Sequence, residues 1–281
     1  MEPETLKRVQ HTVEEILLVV DAQAKACGVP YYLFYGSALG AVRHHGFIPW
    51  DDDADIVLFR KDFEKLKSYW ASHPVDGYFY QDTSTDPGYH IKITKIRKRN
   101  TAYAEPQVKD CEMHHGMFVD IFVLDDYVKN AFLRRIGEYI TMFDYNAERQ
   151  YLPENKKARA VYRITNRLFK SGKIFRWWYG RVFPKLKKDE TMCSDIASFT
   201  NSHRYDFKRE WFGTPRYVDY DEFSFPIPQD AGACLTVCYG DYMTPPPKEQ
   251  QVSVHKLWYL SFNHEYHPGM ASNAAAPAEE R

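Results

Sequence analysis

Apolar residues recur along this chain with two different periods, and the period predicts each element. Leu6, Val9, Val13, Ile16, Leu17, Val20 and Ala24 are spaced by threes and fours, which predicts an amphipathic helix over residues 5–27 that Gly28 and Pro30 stop. Tyr31–Tyr35 is an unbroken aromatic and aliphatic run, the pattern of a strand buried on both faces. Gly36-Ser37 then turns the chain into a short helix carrying Ala38, Leu39, Ala41 and Val42, with Ser37 at its N-cap. Further on, Ile56–Phe59 predicts a strand and Asp62–Trp70 a helix with Phe63, Leu66 and Trp70 inward. Tyr78–Gln81 predicts another strand and Asp86-Pro87-Gly88 a turn. Tyr89–Lys98 alternates as a strand, with Ile91 and Ile93 opposite Lys92 and Thr94. Met117–Leu124, MFVDIFVL, is a second long apolar strand, and from Lys129 the pattern turns helical. The order predicts an α+β fold, a mixed β-sheet flanked by helices, with a helical basic subdomain inserted.

Composition narrows the setting. A chain of 281 residues that is 44% hydrophobic is long enough for one elaborated domain or two small ones. Five irregularly spaced cysteines argue against a disulfide framework and fit a reducing compartment. Cys234 and Cys238 lack a second pair, and Cys111, His114 and His115 are poorly spaced for zinc. With neither a signal peptide nor an apolar run of 18 residues, the expectation is a cytoplasmic protein with no membrane span.

The formal net charge of -1 hides an uneven distribution, because 12 of the 37 Lys and Arg residues lie between Lys156 and Lys188, where there is no Asp or Glu. Arg159, Arg163, Arg167 and Lys170 share one helical stripe and Ala160, Ile164 and Leu168 another; Phe175, Trp177, Trp178, Tyr179 and Phe183 follow. Two readings fit residues 156–188: a solvated basic face, or peripheral contact with the anionic inner face of a membrane. No nucleic-acid-binding motif accompanies the charge, so no nucleic acid is expected.

The chemistry concentrates in residues 51–55. Asp51, Asp52, Asp53 and Asp55 run directly into the apolar strand Ile56–Phe59. Residues two apart in an extended chain face the same way, so Asp53 and Asp55 project side by side. Like charges so close repel, and a divalent cation such as Mg²⁺ or Mn²⁺ is the usual reason to assemble them. An isolated Asp-x-Asp is more often a solvated turn, but here it stands at the mouth of a buried strand. Asp120, in the middle of an apolar strand, requires compensation or hydrogen bonding. Gly36 and Ser37 at a helix start, and Lys92, Lys95 and Arg97 on the basic strand, are candidates to reach a phosphate. Asp125 has a weaker claim, as a cap of the following turn.

The stretch GSALGAVRHHGFIPWDDDADI resembles the signature of the LicD family of phosphotransferases, and the fukutin-related proteins resemble it too. Ser37 and Ala38 stand where that family commonly has Thr-Leu, and Ala54 where a larger apolar residue is usual. The run containing Asp120 is similar to the family's, with Val123 at a usual proline. A C-terminal pattern also matches, through Tyr217-Val218-Asp219-Tyr220, Phe225-Pro226-Ile227-Pro228, Tyr239-Gly240-Asp241-Tyr242, a proline run and His255. The resemblance implies a nucleotidyltransferase-like core in which Asp53, Asp55 and Asp120 hold metal and are catalytic. Gly36, Ser37, Arg43 and Lys92 would bind phosphate. The activity it implies is transfer of phosphocholine from CDP-choline, or of a related group from another CDP-alcohol, to a hydroxyl of a surface glycan, lipid-linked or not, as in lipopolysaccharide, teichoic acid or capsule, with release of CMP. CDP-glycerol or CDP-ribitol donors would require the same acids; a metal-dependent Asp-x-Asp glycosyltransferase is the reading from another class. A choline group favours an aromatic cage, for which Tyr31, Tyr35, Trp50 and Tyr103 are available.

The expected organisation is a catalytic core over 1–128, a helical basic aromatic-rich segment over 129–190 and a C-terminal region over 191–260 that closes the site. A disordered tail is expected over 268–281.

Overall fold

The computed structural model describes residues 1–148, 156–169, 172–195, 206–253 and 255–273. Helix α1 (Pro3–Cys27) buries the stripe predicted for it: Val9, Ile16, Leu17, Val20 and Ala24 are fully enclosed, and Gly28 ends it in the left-handed conformation. Each fully buried aliphatic side chain contributes about 1.5–3 kcal/mol, so this stripe fastens α1 to the sheet.

Strand β1 (Tyr32–Leu33) is shorter than its apolar run and leads into α2 (Tyr35–His44). Then come β2 (Asp55–Phe59), α3 (Arg60–Ser72), β3 (Tyr78–Gln81), β4 (Thr94–Lys98), β5 (Ala102–Ala104) and β6 (Phe118–Val128). Helices α4 (Ala131–Glu148), α5 (Lys156–Phe169) and α6 (Lys173–Trp177) follow, before β7 (Lys188–Asp195) and β8 (Asp206–Lys208). The chain closes with the hairpin β9 (Arg216–Tyr220) and β10 (Phe223–Ile227), helix α7 (Ala231–Tyr239) and β11 (Tyr259–Ser261), which pairs with β5.

The central sheet is mixed, as expected. Its order is β1-β2-β6-β4-β3, with β7 joined to the far part of β6 and β8 to β7. β2 and β6 run parallel, and the other pairs are antiparallel. Alternation assigns each strand's two faces. Ile56 and Leu58 of β2, with Val119, Ile121 and Val123 of β6, pack in one cluster with the stripe of α1 and with Phe63, Leu66 and Trp70 of α3. On the opposite face Val57, Phe122 and Leu124 meet an aromatic cluster of Tyr32, Phe34, Phe207 and Phe212. Asp55 and Asp120 belong to this second face but lie at the strand ends, beyond the aromatic cover.

The strand expected over Tyr89–Lys98 is shorter than its pattern. Residues 89–93 are not strand: the Tyr89 hydroxyl donates to the Ile93 carbonyl at 2.5 Å, and β4 starts at Thr94. β3 and β6 flank β4, and its Lys95 and Arg97 are buried. Near the expected tail, Asn273 exchanges hydrogen bonds with Leu260 (2.8 and 2.7 Å). Residues 274–281, and Lys170 of the basic stripe, lie outside the described residues.

Helix α2 meets the loop before β2 at a glycine. A Cβ on Gly40 would stand 2.4 Å from the Gly46 carbonyl oxygen and 3.2 Å from the Ile48 amide. In an open helix Gly→Ala adds about 1 kcal/mol, but overpacking against backbone costs about 1–3 kcal/mol. Gly40→Ala therefore lowers the urea midpoint at unchanged slope; a raised midpoint would show that the loop yields freely.

Candidate metal and active site

Register brings the acids together. Asp55 of β2 stands directly beside Asp120 of β6, and Lys95 of β4 stands on the other side of Asp120. Directly paired residues point to the same face, so the three side chains form one row across the sheet, and the Lys95 ammonium donates to Asp120 Oδ1. Asp53, two residues before Asp55, joins them. Oxygens of Asp53, Asp55 and Asp120 lie within 4.8 Å of one another, one of two such groups among the described residues.

Ser37 has a different place from the one expected. The helix cap is Phe34, and Ser37 sits buried inside the first turn of α2. Its Oγ accepts the Asp55 amide at 2.7 Å, fixing the start of β2. Gly36 does face the cleft, and a Cβ there would be 2.8 Å from Asp51 Oδ2. The missing side chain makes room for a carboxylate. Lys92 is not among the residues lining this cleft: it pairs with Asp144 of α4 at 2.6 Å and lies over the Phe175 ring. With β4 beginning at Thr94, the basic residue that reaches the acids is Lys95. Arg97 is spent on Gln81 and on the Gly116 carbonyl, the latter at 2.5 Å. Asp125 forms a two-pronged pair with Arg60 (2.8 and 2.7 Å), which is structural.

The acids open into a cleft of about 410 Å³. Asp51, Asp53 and Asp55 line one side; Arg43, Trp50, Tyr239 and Tyr242 are among the residues around them. Arg43 Nη1 donates to the Tyr242 carbonyl at 2.6 Å, so α2 and the turn after α7 meet at the rim. Of the aromatic residues considered for a cage, only Trp50 lines this cleft. Tyr31 is bonded to Asp21, Tyr35 to Asp195 and Tyr103 to Asp52.

The four aspartates have opposite electrostatic fates. Burial, then the charges of Asp53 and Asp52, push Asp51 up to about 8. Asp53 is raised to about 6, chiefly by burial. Asp55 lies well above the usual carboxylate range for the same reason, with Asp53 and Asp120 adding to it. Burial would raise Asp52 as well, but hydrogen bonds from His255, Ser253 and Tyr103 hold it below the usual range. Ser253 Oγ donates to Asp52 Oδ2 at 2.5 Å, and His255 Nδ1 lies 3.1 Å from Asp52 Oδ1. Burial would lower His255, yet Asp52 and Asp53 lift it to about 9. Its Nε2 is 3.7 Å from Asp53 Oδ2. Sequence reasoning left Asp52 and His255 without roles at the site, and offered Lys95 only as one of three basic residues for a phosphate; the position of His255 in the C-terminal pattern was its one signal.

This donor set fits a hard divalent cation: it is all oxygen, crowded, and supplied with a single adjacent lysine. An anionic diphosphate would otherwise be repelled by a cleft whose only arginine, among the described residues, is Arg43.

Residues 28–122 match the sequence model of the LicD/FKTN/FKRP nucleotidyltransferase domain, so the chain carries a LicD-family domain. Over a longer span it is similar to lipopolysaccharide cholinephosphotransferase LicD of Haemophilus influenzae, 26% identical over 263 residues that cover 89% of this chain and 96% of that protein. It is also similar to ribitol 5-phosphate transferase FKRP of Mus musculus and Homo sapiens, 36% identical over 77 residues, which cover 26% of this chain and 15% of each of those proteins. On these matches the chain is a phosphotransferase enzyme.

The raised carboxylates set a pH dependence. A carboxyl whose folded pKa exceeds its unfolded value holds its proton longer in the folded state, so stability falls as pH rises between the two values. Asp53 and Asp51 place that window between about 4 and about 8. His255, raised to about 9, adds stability that is complete below its ordinary value and is lost as pH climbs toward 9. Asp52 acts in the opposite sense only below the ordinary carboxylate range. Metal-free protein should therefore melt lower at pH 8 than at pH 5.5, by roughly 5 °C for a chain of this size. Added Mg²⁺ should raise the melting temperature more at the higher pH. Scanning fluorimetry across this range decides it; a melting temperature that climbs with pH in chelator would overturn the assignment.

Proposed function

We propose that this LicD-type chain transfers a phosphocholine group from CDP-choline to a hydroxyl of a cell-surface glycan, releasing CMP. The observation that carries the reading is the convergence of Asp53 and Asp55, which line a cleft with an aromatic wall, with Asp120 of the parallel strand β6. The alignment with the Haemophilus cholinephosphotransferase over nearly its whole length favours choline and a lipopolysaccharide-type acceptor. The higher identity to ribitol 5-phosphate transferase, although confined to 77 residues, favours ribitol phosphate as the second reading. The Asp-x-Asp glycosyltransferase reading loses ground to both.

In this mechanism Asp53, Asp55 and Asp120 would hold Mg²⁺ or Mn²⁺. The metal, when bound, supplies Lewis-acid neutralisation of the donor diphosphate. The protein's own groups do the rest. Lys95 occupies Asp120 Oδ1 and leaves its other oxygen for the site. Ser37 fixes the Asp55 backbone, and His255, held by Asp52, presents Nε2 toward Asp53. Arg43 brings a positive charge to the rim, where the departing CMP gathers negative charge. Gly36 keeps the α2 side of the cleft open. The acceptor oxygen bonds to the transferred phosphorus as the bond to the CMP oxygen breaks, and the hydroxyl proton passes to a neighbouring carboxylate. No protein nucleophile takes part. The expected setting is the cytoplasm; the described residues contain no helix long and apolar enough to cross a membrane.

Two outcomes follow. CDP-choline should raise the melting temperature only with Mg²⁺ or Mn²⁺ present, and Asp53→Asn/Asp55→Asn should remove that shift. The same variant should lower turnover on the order of a thousandfold, since bound metal contributes several kcal/mol of charge stabilisation and each ~1.4 kcal/mol is tenfold. A shift with UDP-sugars alone would replace the reading with glycosyl transfer. Trp50→Ala separates the two donors: loss of a cation–π contact of about 0.5–2 kcal/mol should weaken CDP-choline roughly 3- to 30-fold and leave CDP-ribitol nearly unchanged. Equal losses for both would remove Trp50 from choline recognition.

A further inference from the structure

Helix α5 is built the wrong way round for a helix that only folds. Its inward face is made of Tyr162, Thr165, Asn166 and Phe169. Thr165 is buried, Asn166 Nδ2 donates to the Ala147 carbonyl of α4 at 2.7 Å, and the Phe169 ring lies 5.5 Å from that of Phe143. The residues that a core would claim first point outward: Val161, Ile164 and Leu168 are 53%, 64% and 59% exposed. At 100° per residue these three share one solvent face, and Arg163 and Arg167 border it. No acidic residue occurs between Lys156 and Lys188.

We propose that this outer face of α5 is a docking surface for an anionic lipid bilayer, with Val161, Ile164 and Leu168 entering the headgroup boundary and the flanking arginines meeting lipid phosphates. Charge selects this occupant. An interfacial helix combines a bulky apolar face with a cationic flank and binds by buried apolar area together with attraction to anionic lipid. A second copy of this chain would bring like-charged flanks together across a self-complementary contact. The proposal goes beyond the catalytic reading and does not depend on it, since binding is measured without turnover. Its consequence is that the protein is held at a bilayer, where lipid-linked acceptors reside.

The test is co-sedimentation of the full chain with vesicles of phosphatidylcholine alone and of phosphatidylcholine mixed with phosphatidylglycerol. The expected result is pelleting with the anionic vesicles, little with the neutral ones, and release by salt. Val161→Gln/Ile164→Gln/Leu168→Gln should weaken binding at least about tenfold, and Arg163→Gln/Arg167→Gln roughly twenty-five-fold, at about fivefold per cation. These positions are exposed, so both variants should keep the wild-type melting temperature and the donor-dependent thermal shift. The proposal is overturned if wild type stays in the supernatant with anionic vesicles, or if the apolar variant pellets like wild type. A concentration-dependent dimer that the apolar variant abolishes, without vesicle binding, would equally overturn it in favour of self-association.

Discussion

Charge crowding at the adjoining ends of β2 and β6 is the constraint on which the site depends. Asp55 and Asp120 are side by side across two parallel strands, with Asp53 grouped with them and the charge of Asp51 acting on Asp55. Two like charges 4 Å apart repel by about 4 kcal/mol at an effective dielectric of 20. Lys95 relieves part of this through Asp120. What remains must be met by protons or by a cation, and burial with mutual repulsion accordingly raises Asp51, Asp53 and Asp55. Neighbouring structure then holds the crowded groups in place: Ser37 on the Asp55 amide, Gly36 yielding space to Asp51, and β4 delivering one buried lysine.

Asp52 shows how one residue's displacement along the chain reverses its role. It lies between two members of the crowded group, yet faces Tyr103, Ser253 and His255 and is held ionised by them. Removing any one of these partners would leave a buried carboxylate less well satisfied. Asp52 is in consequence the anchor of the C-terminal segment. That segment returns across about two hundred residues to place His255 beside Asp53, so the C-terminal segment and the acids are held in a single arrangement.

Local features were legible in the sequence where local physics decides them. The α1 stripe, the apolar strands and the Asp53–Asp55 pairing follow from period alone, and Asp120 announced itself as a charge within an apolar run. Partnerships across the chain were not legible. Choosing among Lys92, Lys95 and Arg97 requires knowing that β4 begins at Thr94 and which of its residues faces Asp120. Ser37 read as a cap because the helix was expected to begin at Ala38, three residues after Tyr35, where it does begin. The aromatic cage was over-supplied in sequence because hydroxyl partners such as Asp21 and Asp195 are distant from Tyr31 and Tyr35 along the chain.

The contrast between α1 and α5 marks a deeper limit of periodicity. Both helices carry an apolar stripe at helical spacing, and the pattern identifies which residues share a face without saying which way that face turns. In α1 the stripe meets the sheet; in α5 an asparagine and a phenylalanine ring meet α4 instead. Direction is set by what the neighbouring element offers. The Ala147 carbonyl and the Phe143 ring of α4 suit the mixed face of α5, and that choice leaves Val161, Ile164 and Leu168 in water. Three bulky side chains left exposed forgo about 1.5–3 kcal/mol apiece, a cost that folding alone does not explain and that an apolar environment outside the protein would recover.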